Sequence, residues 1–236
     1  KVEPVSLWNH FADLNEVPRP SKKEERVIEF MMNFGQSLGL ETSKDKIGNV
    51  IIKKPASPGM ENRKKVILQS HLDMVHQKNR DTTFDFDKEG IKMRVNGDWI
   101  DADGTTLGAD NGIGVATIMA TLSATDIKHP ALEGLFTIDE ETGMTGAKEM
   151  DGSMFEGEIL LNLDTEDDDE LSIGCAGGID TNTEYNYQEE ELPGDRKNIS
   201  LNIRGLLGGH SGMDIDSGRG NANKWLTRIL WSISQS

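Results

Sequence analysis

Residues 66–73 read Val-Ile-Leu-Gln-Ser-His-Leu-Asp, a short apolar run that delivers a histidine and an aspartate two residues apart. Four apolar or neutral residues followed by polar chemistry is the signature of a strand buried on both faces of a parallel sheet. Two further runs repeat the arrangement. Leu135–Ile138 (LFTI) leads into Asp139-Glu140-Glu141, and Ile159–Leu163 (ILLNL) leads into Asp164. Between and around them lie helical patterns. Val27, Ile28, Phe30, Met31 and Phe34 form a stripe after Ser21-Lys22-Lys23-Glu24, whose spacing is that of a capping box, and Gly39 is a candidate stop. A second helix is expected from about Gly112, and a short one around Gly146–Met150. Asn49–Lys53 reads as another strand, and Asn96-Gly97 as a hairpin signal. Strands alternating with helices predict an α/β fold with a central, mostly parallel sheet flanked by helices.

The pattern changes near Gly177-Gly178. Thr181–Tyr187 and Ile199–Arg204 alternate like half-exposed strands, and Asn223–Ile233 carries an apolar helical stripe. These features predict a first domain over residues 1–177 and the start of a smaller α/β lid domain over 178–236.

Composition bounds the function. The 236 residues carry 25 Lys and Arg against 41 Asp and Glu, a net charge of −16 that argues against nucleic acid as a partner. Mean hydropathy is −0.52, and no apolar run nears the roughly 20 residues of a membrane-spanning helix. A single cysteine, Cys175, and an opening KVEPVSLWNH without a signal-peptide core point to the cytoplasm. Part of the charge is in runs, Asp167–Glu170 and Glu189–Glu191, which read as solvated loops. Asp164 is different, because a strand positions it.

In open α/β sheets, ligands bind at the carboxyl ends of strands. His71, Asp73, Glu140, Glu141 and Asp164 all fall there, and Asp110 sits in Gly108-Ala109-Asp110-Asn111-Gly112 just ahead of a helix. A His-x-Asp pair or two adjacent glutamates are common on surfaces; their joint placement at three strand ends points to a metal centre. One imidazole and several carboxylates without a thiolate suit zinc, manganese or cobalt. So many carboxylates repel one another around one ion, and two divalent cations would offset that, with Asp110 the candidate bridge. Asp73 can hold His71 in the ligating tautomer. Of the glutamate pair, one can ligate while the other takes a proton from water. His10 reads as part of an amphipathic helix and His129 as part of a loop, while His76 reads as a packing residue.

The segments ILQSHLDMV (67–75), GADNGIGVA (108–116), TIDEETGMTGA (137–147), LLNLDTED (160–167), IGCAGG (173–178) and GLLGGHSGMDIDSGRGNANK (205–224), in that order, closely resemble the cytosolic aminoacyl-histidine (Xaa-His) dipeptidases. These are di-zinc metallopeptidases related to carboxypeptidase G2, the peptidase T enzymes and the aminoacylases. The resemblance implies a di-zinc exopeptidase fold and hydrolysis of small peptides, Xaa-His dipeptides among them. It implies that His71 and Asp164 ligate one zinc, Glu141 the second, and that Asp110 bridges them with a cis peptide to Asn111. It implies further that Glu140 is the general base acting on a water between the metals, and that Asp73 orients His71. By the same resemblance, His210 helps bind substrate and stabilise the oxyanion, and the full-length form is a homodimer. Arg219 and Asn221 are candidate contacts for the substrate carboxylate, although Asn221 equally fits a helix N-cap. Related hydrolases act as tripeptide aminopeptidases or N-acyl amino acid deacylases. Members of the family are about twice this length and supply a later histidine to the second zinc, for which no candidate follows His210. The chain is therefore expected to be a truncated form, an inactive metal-binding fragment being the alternative to an active one.

Overall fold

The chain is described by a computed structural model covering residues 2–166, 169–175, 177–179, 181–191 and 193–235. Asp167 and Asp168, half of the first acidic run, lie outside the described residues. The chain divides into two units, Lys1–Thr165 and Glu166–Ser236.

In the first unit, helices α1 (Val5–Asn15) and α2 (Glu25–Ser37) precede strands β1 (Glu41–Lys44), β2 (Val50–Lys54) and β3 (Val66–His71). A hairpin of β4 (Met93–Asn96) and β5 (Trp99–Ala102) follows, then α3 (Ala109–Ser123), β6 (Leu132–Thr137), the short α4 (Thr145–Lys148) and β7 (Ile159–Asn162). Five strands form one sheet in the order β1-β2-β6-β3-β7. Strands β6, β3 and β7 are mutually parallel, and β2 runs antiparallel to both β6 and β1. Four of the five strands therefore point the same way.

Strand periodicity divides the core between the sheet's two faces. Val50, Ile52, Leu132 and Phe136 join Leu14, Val27, Met31, Val115, Ile118 and Leu122 from α1, α2 and α3 in one buried cluster. The alternate positions Ile51, Ile67 and Leu135 form a second cluster, covered by Met150, Met154 and Phe155. Gly134 of β6 makes the close approach of α3 possible, since a Cβ there would meet Leu122 and Ile118 at 3.0 and 3.1 Å.

Local expectations met different fates. Gly39, at φ 68°, terminates α2 with the paired bonds of a Schellman motif, Gly39 N–H to Gln36 and Leu40 N–H to Gly35. The capping box did not form. Helix α2 starts at Glu25, its cap position is Glu24, and neither Ser21 nor Glu24 caps it. Both side chains are drawn into tertiary contacts instead. Ile159–Leu163 does form a strand, but not a buried one. Among the described residues, strand β7 pairs with β3 alone, at the end of the sheet, and Leu160 is 53% exposed.

In the second unit, among the described residues, the only regular element is α5 (Ala222–Ser234). The two strands expected over 181–187 and 199–204 are absent there. An alternating segment becomes a strand only with a partner to complete its hydrogen bonds and a core to cover its apolar face. Neither is supplied: Tyr185 is 83% and Ile199 89% exposed. Glu189–Glu191 are exposed, as a solvated run should be. Asn221 is the N-cap of α5, its Oδ1 accepting from the Lys224 N–H at 2.9 Å.

Candidate metal centre

Sheet register assembles the site. His71 is level with Thr137 across the β3–β6 pair, and Gln69 is level with Asn162 across β3–β7. The chain leaving β6 thus enters Asp139-Glu140-Glu141 beside His71, and the chain leaving β7 reaches Asp164 on the other side. From α3 comes Asp110, at a non-helical first turn where the Asp110–Asn111 peptide is cis.

The imidazole of His71 is fully buried. Its Nδ1 faces the backbone carbonyl oxygen of Asp73 at 3.0 Å and the Asp73 carboxylate at 3.4 Å. With that side engaged, Nε2 points into the carboxylates: Asp110 Oδ1 at 3.0 Å, Asp164 Oδ1 at 3.8 Å and Glu140 Oε2 at 3.9 Å. His71, Asp110 and Glu141 each present one donor atom within 4.8 Å of the others, a group that could hold a metal ion. All five residues singled out as ligands or base are brought together here, with Asp73 beneath them.

The electrostatics describe a site short of positive charge. Burial, followed by the charge of Asp110, pushes the Glu141 carboxyl up to about 7. Burial also raises Glu140 and Asp164 from their ordinary values, opposed by the charge of His71 and reinforced by neighbouring acids. Burial alone would lower His71, but hydrogen bonds to Asp110 and Asp73 and the charge of Asp164 outweigh it and bring it up to about 10. The carboxylates thus favour positive charge at the Nε2 side of the imidazole, which is the charge a divalent cation carries. Nitrogen and oxygen donors without sulfur fit zinc, manganese or cobalt.

Asp73 does more than face the histidine. Its carboxylate accepts the backbone N–H groups of Glu140 at 3.0 Å and Glu141 at 3.3 Å, and the Ser21 hydroxyl at 2.8 Å. It therefore ties the histidine strand to the glutamate loop. That loop is also held by Glu24, which accepts the N–H of Asp139 at 3.1 Å, and by Asn49, whose Oδ1 accepts from Ile138 and whose Nδ2 donates to Gly146. Asn111 donates to Asp164 at 2.6 Å and to the Leu163 carbonyl at 2.9 Å. The supporting roles of Ser21, Glu24, Asn49 and Asn111 are not legible in sequence spacing, since each lies far along the chain from what it holds. His76 is exposed and stacks edgewise on Phe86, His10 lies on α1 against Ser123, and His129 sits in a loop before Pro130.

His210 belongs to the second unit. There its Nδ1 accepts from the N–H groups of Gly212 and Met213, and its Nε2 lies 2.9 Å from Glu166. Arg219 pairs with Asp214 at 2.8 Å.

Residues 67–203 match Peptidase family M20/M25/M40. The chain belongs to this family. It is 45% identical over 230 residues to the cytosol non-specific dipeptidase of Escherichia coli, matching 98% of this chain and 47% of that protein. Among solved structures it is similar to an aminoacylhistidine dipeptidase from Vibrio alginolyticus, with a TM-score of 0.73, 41% identity, and coverage of 98% of this chain and 47% of the other. An aminopeptidase from Bacillus cereus matches 69% of the chain and 43% of its own length, at 26% identity and a TM-score of 0.58. The chain thus spans about half the length of the relatives it matches. Among the described residues, no helix is long and apolar enough to cross a membrane.

Proposed function

We propose that the carboxyl ends of β3, β6 and β7 hold two divalent cations, zinc first among the candidates, and serve the hydrolysis of dipeptides, Xaa-His dipeptides in particular. The observation that carries this reading is His71 Nε2 set among the Asp110, Asp164 and Glu140 carboxylates at 3.0–3.9 Å, with its other nitrogen already engaged. By the resemblance, His71 and Asp164 would hold one cation, Glu141 would hold the second, and Asp110 would serve both. Bound cations would polarise the scissile carbonyl and acidify water.

The protein's own groups do the rest. Glu140, with Oε2 facing the cluster and its carboxyl raised by burial, takes the proton from water and returns it to the leaving amine. Asp73 holds the His71 ring from below and the Glu140 backbone from the side, so base and ligand keep a fixed spacing. His210 is assigned to substrate binding and the oxyanion by resemblance. The same resemblance supports a cytoplasmic protein that dimerises in a full-length form, and the cytosolic Escherichia coli relative agrees with the compartment.

Elemental analysis, paired with rates on Xaa-His dipeptides, tripeptides and N-acyl amino acids, tests the assignment. Glu140→Ala is expected to abolish turnover with metal content retained, and His71→Ala to lose metal. Loss of metal in Glu140→Ala would make Glu140 a ligand. Faster turnover of tripeptides or acylated amino acids would move the substrate to those classes. Metal without hydrolysis would leave a binding fragment.

A further inference from the structure

Arg19 lies between two prolines, in Pro18-Arg19-Pro20, and is only 1% exposed. The prolines keep this stretch extended, and it runs beside the chain leaving β3, with the Met74 N–H donating to the Arg19 carbonyl at 3.2 Å and a bridge from Pro20 to Met74. That places the guanidinium beneath the metal centre. Nη1 donates to the carbonyl oxygens of Leu72 at 3.0 Å and Asp73 at 3.3 Å. Nη2 donates to the Gly108 carbonyl at 2.6 Å and to Asn15 Oδ1 at 3.1 Å. Asn15 in turn donates to the Leu107 carbonyl at 3.2 Å. A Cβ at Gly108 or Gly112 would crowd Nη2, so the glycines around Asp110 leave room for this group.

A buried cation is normally neutralised by a carboxylate bonded to it. The hydrogen bonds of the Arg19 guanidinium go instead to three backbone carbonyls and one amide. What offsets its burial is the field of the acids above: burial lowers Arg19 to about 10, against the opposing charges of Asp73, Asp110 and Glu141.

We propose that Arg19 is a positioning residue for the metal centre, its guanidinium fork tying the His71–Asp73 segment to Gly108, which leads into the first turn of α3 and Asp110. The two segments bring ligands from different elements, and their spacing decides whether one cation can reach both. A planar group whose two Nη atoms point to different acceptors holds both in fixed directions, whereas an ammonium gathers its donors on one freely rotating nitrogen. Its fixed charge also eases the repulsion among the carboxylates while no cation is present. This inference rests on the metal-site reading above.

The test is cation affinity, measured on the 236-residue chain by titration with Zn²⁺ alone against a competing chelator, with Co²⁺ absorption as a spectroscopic signature of geometry. Arg19→Lys keeps the charge and loses the fork. Affinity is expected to fall about 10- to 100-fold, the range seen when groups that orient ligands are removed, with an altered Co²⁺ spectrum. Met31→Ala, in the core between α2 and the sheet, serves as the control: it should lower the urea midpoint and leave affinity unchanged. If Arg19→Lys binds Zn²⁺ like the parent chain, or if Met31→Ala weakens binding equally, the inference is overturned while the metal site stands. If the parent chain binds no Zn²⁺, both fall. Should Arg19→Lys fail to fold, Asn15→Ala decides. It removes one of the fork's four acceptors, and an affinity loss supports the inference while unchanged affinity overturns it.

Discussion

Asn49→Ala offers a measurable test of how the glutamate loop is held. Asn49 is fully buried immediately before β2. Its Oδ1 accepts the Ile138 N–H at 3.2 Å, and its Nδ2 donates to the Gly146 carbonyl at 2.9 Å and to Asp45 Oδ2 at 2.7 Å. Ile138 and Gly146 are the two ends of the loop carrying Glu140 and Glu141, so one side chain closes that loop. Alanine leaves the Ile138 donor and the Gly146 acceptor without their partner. Each buried neutral group deprived of its partner costs about 1–3 kcal/mol, or about 2–6 kcal/mol for the pair. Asp45 is partly exposed and regains its bond from water, and water entering the space left by the amide recovers some of the rest. A net loss of about 2–4 kcal/mol remains, a large share of the roughly 5–15 kcal/mol that stabilises a typical domain. With a urea slope of about 2 kcal/mol/M, the unfolding midpoint followed by circular dichroism should drop by about 1–2 M. Asn49→Asp should fare no better. It keeps the acceptor but loses the donor and sets a carboxylate opposite Asp45. A midpoint shift below about 0.3 M in Asn49→Ala, or a neutral Asn49→Asp at pH 7, would refute the reasoning.

Three other outcomes are expected. Gly114→Ala drives a Cβ into Asn111 Oδ1, Ser70 Oγ and the Leu163 carbonyl, so it should cost about 1–3 kcal/mol and weaken Zn²⁺ binding through the Asn111–Asp164 contact; parent-like affinity in a chelator competition would contradict this. Lys54 donates to the carbonyls of Thr121 and Ala124 at the end of α3, and Lys54→Met should lose about 0.5–2 kcal/mol in urea unfolding, with no loss counting against the cap. Burial raises the Glu24 carboxyl, only partly opposed by the Lys22 and Asp139 N–H groups, so its folded value exceeds its unfolded one. Its contribution to stability is therefore full below the unfolded carboxyl range and lost as pH rises through the folded value. Glu24→Gln keeps an acceptor oxygen without the charge, and should gain on the parent in urea midpoint as pH climbs from 4 to 7. A difference that stays flat or shrinks over that range would reverse the sign.

Ser21 illustrates the limit of local reading. Its spacing to Glu24 satisfies the capping-box pattern, yet its hydroxyl donates to Asp73, 52 residues away, and Glu24 accepts from Asp139, 115 residues away. A buried carboxylate with backbone donors around it competes for a hydroxyl more strongly than a helix end that water can solvate. Strand β7 shows a second limit: ILLNL is as apolar as a central strand, yet in this 236-residue chain, among the described residues, it is the last strand in the sheet order.

What the sequence by itself determined is the local chemistry: apolar runs that become strands, the acids and histidine that follow them, the Gly39 stop, and the order of motifs that marks the family. These depend on neighbours within a few residues, where propensity and periodicity act. What only the tertiary structure decided is the register that brings His71, Glu140, Glu141 and Asp164 to one end of the sheet, and the supports beneath them. Arg19, Ser21, Glu24, Asn49 and Asn111 act on partners dozens of residues away. Hydrogen bonds over such separations exist only once the sheet and α3 have packed, because closing those loops costs entropy that core burial must first offset.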